Sequence, residues 1–240
     1  MARTRLKSAK RKYLIVCATV LVIVILCYRE WNRTNAALKE RNHIEIPQGF
    51  SSYGIDVSHH QGEIDWDSLF ASRDSIINFV YCKATEGVHH VDSKWEENRV
   101  ALNKRKPRLG AYHFFLPNKD AKQQADHFLV NYNAKTNYLP PVIDIEIETD
   151  SDSELIENVS IWLDCVESRI KKRPIIYTSH HLYKTIFKGK LTGYTFWIAN
   201  YNTNPSGLED TNIVLWQYTD KGSLAGIEGD VDLNYSKILY

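Results

Sequence analysis

From residue 53 onward, short apolar runs alternate with stretches whose apolar residues recur every three or four positions. The runs predict strands over 53–57, 77–83, 109–115, 141–147, 174–178, 194–199 and 213–218. The periodic stretches predict helices over 66–72, 94–105, 119–132, 153–171 and 180–187. Strand and helix alternate in the first half, which implies a parallel sheet covered by helices. Seven or eight strands in one α/β domain imply a closed barrel rather than an open sheet. The last strands are too close for full helices between them. The expected fold is therefore an irregular, TIM-barrel-like (β/α) barrel with about eight strands and fewer than eight helices. Chemistry in such barrels lies at the C-terminal ends of the strands.

The pattern differs ahead of this domain. Residues 13–28 contain no Asp, Glu, Lys or Arg and follow six cations in residues 1–12. As a helix these sixteen residues rise about 24 Å, against a hydrocarbon core of about 30 Å. Lys and Arg at both ends can snorkel, and Tyr13, Tyr28 and Trp31 suit the headgroup layer. The expectation is one N-terminal transmembrane signal anchor over 13–28, with a basic cytoplasmic tail over 1–12. A cleaved signal peptide is the alternative. The run ends Cys27-Tyr28-Arg29-Glu30-Trp31, with no small-x-small site, and Thr34-Asn35-Ala36 lies far downstream. Residues 29–52 are polar and read as a linker to the domain at 53–240. The expected location is a single pass through the cytoplasmic membrane, N-terminus inside and domain outside, or secretion after cleavage.

Composition narrows the picture. The chain is 43% hydrophobic and 25% charged, the balance of a packed protein rather than a disordered or collagenous one. The net charge is +1, but from Arg29 onward 24 basic residues face 29 acidic ones. An acidic domain has no general attraction for nucleic acid. A monomer is expected. Cys82 and Cys165 lie inside apolar segments and read as small core residues, with one disulfide as the alternative.

The most telling segment is Pro141-Val-Ile-Asp-Ile-Glu-Ile147. Side chains alternate along a strand, so Asp144 and Glu146 share the face opposite Ile143, Ile145 and Ile147. Close carboxylates raise each other's proton affinity, which keeps one protonated as a general acid near neutral pH. Two solvated acids, or a divalent-metal site, are the other readings of this segment. Asp56 stands in the same way at the end of the first strand. Gly229-Asp230-Val231-Asp232-Leu233-Asn234 would by itself pass for a turn. Several aromatic residues sit at strand ends, among them Tyr112, Tyr177, Trp197, Tyr201, Trp216 and Tyr218. Rings there can stack on the flat C–H faces of sugars. The His-His pairs at 59–60, 89–90 and 180–181 lack zinc spacing, since adjacent side chains diverge. No phosphate loop, dinucleotide fingerprint or Gly-x-Ser-x-Gly occurs.

Taken in order, eight blocks resemble glycoside hydrolase family 25, the lysozymes that cleave bacterial cell-wall glycan. They are Gly54–Trp66, Phe79–Gly87, Gly110–Phe115, Pro141–Glu146, Ile175–Ser179, Phe196–Tyr201, Trp216–Thr219 and Val231–Asn234. The resemblance spans residues 53–240. It implies an irregular eight-stranded barrel that cuts the β-1,4 bond from N-acetylmuramic acid to N-acetylglucosamine in peptidoglycan. It places Glu146 as the general acid, with Asp144, Asp56 and Asp232 as the other acids of the catalytic cluster. Tyr112, Tyr177, Trp197 and Gln217 fall in motifs that line the family's substrate groove. Substrate assistance by the 2-acetamido group, with Asp144 orienting the amide, is the favoured course; Asp56 or Asp144 as nucleophile or water-activating base is the alternative. No metal or organic cofactor is needed. A barrel that binds glycan without cutting it, or one that hydrolyses a related N-acetylated glycan, is the alternative.

Overall fold

The computed structural model describes residues 19–29, 44–71, 77–105, 107–132, 138–202 and 206–238. The chain divides into two compact units, Met1–Ile44 and Glu45–Tyr240. In the first, residues 19–29 are helical, and Val20 through Leu26 expose their apolar side chains. No helix among the described residues is long and apolar enough to cross a membrane. The rest of the expected 13–28 span, and most of the expected linker, lie outside the described residues.

The second unit is a barrel. Its strands are β1 (Ser52–Val57), β2 (Phe79–Glu86), β4 (Arg108–Phe114), β5 (Val142–Ile145), β6 (Ile175–Ser179), β7 (Thr195–Ala199), β8 (Ile213–Gly222) and β9 (Val231–Ser236). A two-residue strand, β3 (His90–Val91), hairpins onto the end of β2 outside the ring. The sheet order is β1-β9-β8-β7-β6-β5-β4-β2, and a parallel β1–β2 pairing closes it. β9 alone runs antiparallel to both its barrel neighbours. The strand boundaries agree with the hydrophobic pattern to within a few residues. β9 is the strand that the pattern did not reveal, because Asp230, Asp232 and Asn234 make its sequence look like a turn.

The helices are α1 (Trp66–Ala71), α2 (Trp95–Leu102), α3 (Ala121–Tyr132) and α4 (Asp152–Ile170). A fifth segment, α5 (His180–Leu182), continues as a wider turn over Tyr183–Phe187. α4 shows how local sequence sets an element. Ser151 caps it by accepting from the Glu154 N–H, and Lys171 ends it in the left-handed conformation at φ 59°. Between the caps, Leu155, Val159, Trp162, Leu163 and Val166 form one buried stripe.

Parity along the strands sorts the core into two layers. Ile55, Val57, Val80, Cys82, Ile143 and Ile145 alternate with the barrel-interior residues and are buried. Inside the ring, Phe79, Tyr81, Val142, Ile175 and Leu215 pack as one apolar cluster. Two glycines make room for it. A Cβ at Gly54 would lie 2.5 Å from the Phe79 ring, and one at Gly110 would lie 2.1 Å from the Tyr81 ring. Both pairs are direct neighbours in the sheet register. Cys82 and Cys165 are free thiols, Cys82 fully buried.

Residues 47–52, expected in the linker, pack on the barrel. Phe50 is buried with its ring 6.2 Å from that of Trp216, and the Ser51 N–H donates to the Ser236 carbonyl at 2.9 Å.

Candidate active site

One step beyond the apolar layer, the interior positions become polar. Asp56 stands there on β1, Tyr112 on β4, Asp144 on β5, Tyr177 on β6 and Gln217 on β8. Glu146 follows directly after β5 and keeps the parity of Asp144. Trp197 occupies the equivalent place on β7. Because β9 is reversed, its first residues meet the C-terminal ends of the other strands, and this brings in Asp232. All eight of the expected residues line one cavity of about 130 Å³ at the C-terminal mouth, together with Val142 and Tyr201.

A chain of buried hydrogen bonds holds the floor. The Trp197 indole N–H donates to Asn234 Oδ1 at 2.9 Å. Asn234 Nδ2 donates to Asp56 Oδ2 at 2.7 Å, and Gln217 Nε2 donates to the same oxygen at 3.0 Å. The Gln217 carbonyl in turn accepts from Tyr177 Oη at 2.8 Å and Tyr201 Oη at 2.7 Å. Each amide can satisfy both of its ends only in one orientation, so the network fixes Asp56 and both phenols together. Trp197 is 1% exposed and belongs to the floor, whereas Tyr201 is 49% exposed and stands at the rim.

The four acids sit in different surroundings. Burial raises Asp56 to about 6, against the opposing pull of the hydrogen bonds from Asn234 and Gln217. Asp232 is raised as well, by burial and then by the charge of Asp56, so the two carboxyls share a proton between them. Asp144 is held well above the carboxylate range by burial, then by the charges of Glu146 and Asp56. Its Oδ1 is buried with no hydrogen-bond partner among the described residues. Glu146 is at the mouth and open to solvent. Partial desolvation by the walls raises it, while the neighbouring Tyr177 hydroxyl and the charge of Lys83 lower it. Lys83 is a buried cation on β2, 2.7 Å from Glu86 and above the Phe114 ring. Four carboxylates around one small cavity cannot all ionise, so the resting site stores protons.

Two contributors escaped the reading of the sequence. Asn234 lies in the quoted Val231–Asn234 block, and the two-residue spacing from Asp232 was the available signal for it. Lys83 reads as an ordinary charge until β2 is known to present it inside the ring. The histidine pairs do not converge on a metal geometry. Among the described residues, no group of three or more His, Cys, Asp or Glu is arranged to hold a metal ion. His59 Nδ1 instead lies 2.6 Å from Asp92, which is buried.

The barrel has counterparts among known proteins. The family model for glycosyl hydrolases family 25 matches residues 55–227. The chain belongs to glycosyl hydrolase family 25. Family membership makes it a glycoside hydrolase. The uncharacterized protein YegX of Escherichia coli O6:H1 is 32% identical over 249 aligned positions, covering 96% of this chain and 92% of YegX. Lysozyme M1 of Streptomyces globisporus is 32% identical over 75% of this chain and 66% of its own length. Among solved structures, a family 25 glycosyl hydrolase from Bacillus anthracis superposes with a TM-score of 0.73 at 30% identity. That match covers 81% of this chain and 92% of the other.

Proposed function

We propose that this family 25 hydrolase is a muramidase that cleaves the β-1,4 bond between N-acetylmuramic acid and N-acetylglucosamine in peptidoglycan. The observation that carries the reading is the division of labour among the acids. Glu146 stands open at the mouth with a raised proton affinity, while Asp144 is buried beside it with an oxygen that lacks a hydrogen-bond partner among the described residues. Relatives named lysozyme and N,O-diacetylmuramidase support the substrate class.

In this mechanism Glu146 gives its proton to the leaving oxygen. As that bond breaks, C1 gains oxocarbenium character, and the oxygen of the 2-acetamido group attacks it. Asp144 Oδ1 accepts the amide N–H, which satisfies the buried oxygen and favours the ionised form as positive charge spreads over the acetamido group. Water then attacks C1, with Glu146 as base, and leaves a new reducing muramic-acid end. Substrate-assisted sites of this kind stand outside the usual two-carboxylate pattern. Asp56 and its proton-sharing partner Asp232 keep the floor negative near the developing cation. Tyr201, pinned through its hydroxyl, offers its exposed ring as a sugar platform beside Tyr112.

We also propose that residues 13–28 anchor the chain in the cytoplasmic membrane, with residues 1–12 inside and the catalytic unit outside. The support is the charge-free run after six cations and the exposed apolar side chains on the helix over 19–29.

The test uses the full-length protein and its Glu146→Gln variant on purified peptidoglycan. Products are reduced with borohydride and their ends identified by mass spectrometry. New reducing muramic-acid ends from the wild type alone are expected. Reducing glucosamine ends would reassign the bond, and retained binding without new ends would make the protein a glycan-binding barrel.

A further inference from the structure

A second, larger concavity adjoins the catalytic cavity. Its volume is about 830 Å³, and it shares Glu146, Tyr177 and Tyr201 with the smaller one. The remainder of its wall comes from the end of β6 with α5 and from the end of β7 with the residues after it. The side chains there are Ser179, His180, His181, Lys184, Thr185 and the pair Asn200 and Asn202. Apart from Glu146 at the shared border, no acid lines it. Lys184 is exposed and has no carboxylate partner among the described residues. Lys188, the next cation on the same turn, also acts on His180. His180 Nε2 is buried without a hydrogen-bond partner among the described residues. Two acids act on the histidines from outside the lining: the exposed Glu148, 3.8 Å from His181 Nε2, and Glu209, whose charge opposes that of the lysines at His180.

Resting on the muramidase reading, we infer that this trough receives the carboxylate-bearing peptide arm of the muramoyl residue at the scissile bond, with Lys184 as its anion contact. The chemistry follows from the substrate. A muramoyl sugar carries a lactyl ether on O3, from which the stem peptide extends, so the arm starts within one sugar ring of C1. The bond cut at Glu146 is the one made by that same sugar. A neighbour for its arm must open directly off the catalytic cavity and be wider than a slot for one ring. It must also offer amide partners and positive charge to a peptide rich in carbonyls and free carboxylates. The trough meets these requirements, with two asparagines, two hydroxyls and a lysine that has no carboxylate partner among the described residues. A glucosamine-only polymer would leave Lys184 without a counter-charge, so the trough also distinguishes peptidoglycan from chitin-like chains.

The experiment compares full-length wild type with Lys184→Glu and Lys184→Arg on two polymers. One is intact peptidoglycan, and the other is the same material stripped of stem peptides by an amidase. The rate of formation of new reducing ends is measured on both. Lys184→Glu is expected to lower kcat/KM roughly tenfold on intact polymer, the scale of one lost charge-assisted contact, and to leave the stripped polymer within about twofold of wild type. Lys184→Arg is expected to restore most of the rate. An equal loss on both polymers, or no loss on the intact one, overturns the inference. A wild type inactive on both polymers would instead refute the muramidase reading. Cosedimentation then decides the trough: Lys184→Glu must release intact polymer more readily than wild type does, with no difference on stripped polymer, or the inference falls.

Discussion

Replacing Asp56 by Asn should stabilise the protein at neutral pH while disabling it. The carboxyl is 6% exposed, and burial lifts it from the ordinary 3.8 to about 6. At 1.36 kcal/mol per tenfold change in proton affinity, that rise corresponds to about 3 kcal/mol. The sign follows from proton linkage. The folded state binds this proton more tightly than the unfolded chain, so stability falls as pH rises from about 4 and the full penalty is reached above about 6. Below the unfolded value there is no penalty. Asn keeps the shape, and its amide oxygen can still accept from Asn234 Nδ2 and Gln217 Nε2. Its NH₂ group takes the place of the proton shared with Asp232. The substitution also relieves Asp232 of the charge beside it. Urea unfolding of both proteins at pH 3.5, 5, 6.5 and 8 measures the difference directly. The expected gain is near zero at the lowest pH and about 3 kcal/mol at the highest, or roughly 6–12 °C in Tm for a unit of this size. A gain that does not change with pH, or a variant less stable than wild type at pH 8, would refute the reasoning.

Other perturbations probe the same site from different sides. Asn234→Ala strands the Trp197 indole N–H and removes a donor from Asp56, so thermal melts should show a loss of about 1–3 kcal/mol. The proposed mechanism needs Glu146 protonated, so kcat/KM should fall as pH rises through a value above 4.5. Lys83→Gln removes a charge that holds Glu146 and Asp144 down, and the alkaline limb of the pH profile should move upward; a downward move would contradict the assigned role. Gly110→Ala drives a Cβ into the Tyr81 ring at 2.1 Å and should cost about 1–3 kcal/mol or more, read by urea denaturation.

The individual elements were legible because their causes are local. Strand parity put Asp144 and Glu146 on one face before any fold was known, and the stripe from Leu155 to Val166 marked α4 as a barrel helix. Ordered motifs then carried the family. What no local pattern contains is which strands meet. β9 looked like a turn because its interior positions face a polar mouth, where Asp232 and Asn234 replace the apolar residues that usually announce a strand. Its reversed direction follows from the short connection between Gly222 and Val231, which permits a hairpin but no parallel crossover. Only closure of the ring brings Asn234 to Asp56, 178 residues away, and orders the chain from Trp197 to Tyr201. The four acids differ in the same way. As residue types they are nearly equivalent, and the sequence by itself determined only that they share a face or an end. The fold decided their depth, and with it which carboxyl is buried without a hydrogen-bond partner among the described residues, which pair shares a proton, and which stands open to solvent. Desolvation depends on the whole surrounding structure, so these roles arise only in the closed barrel.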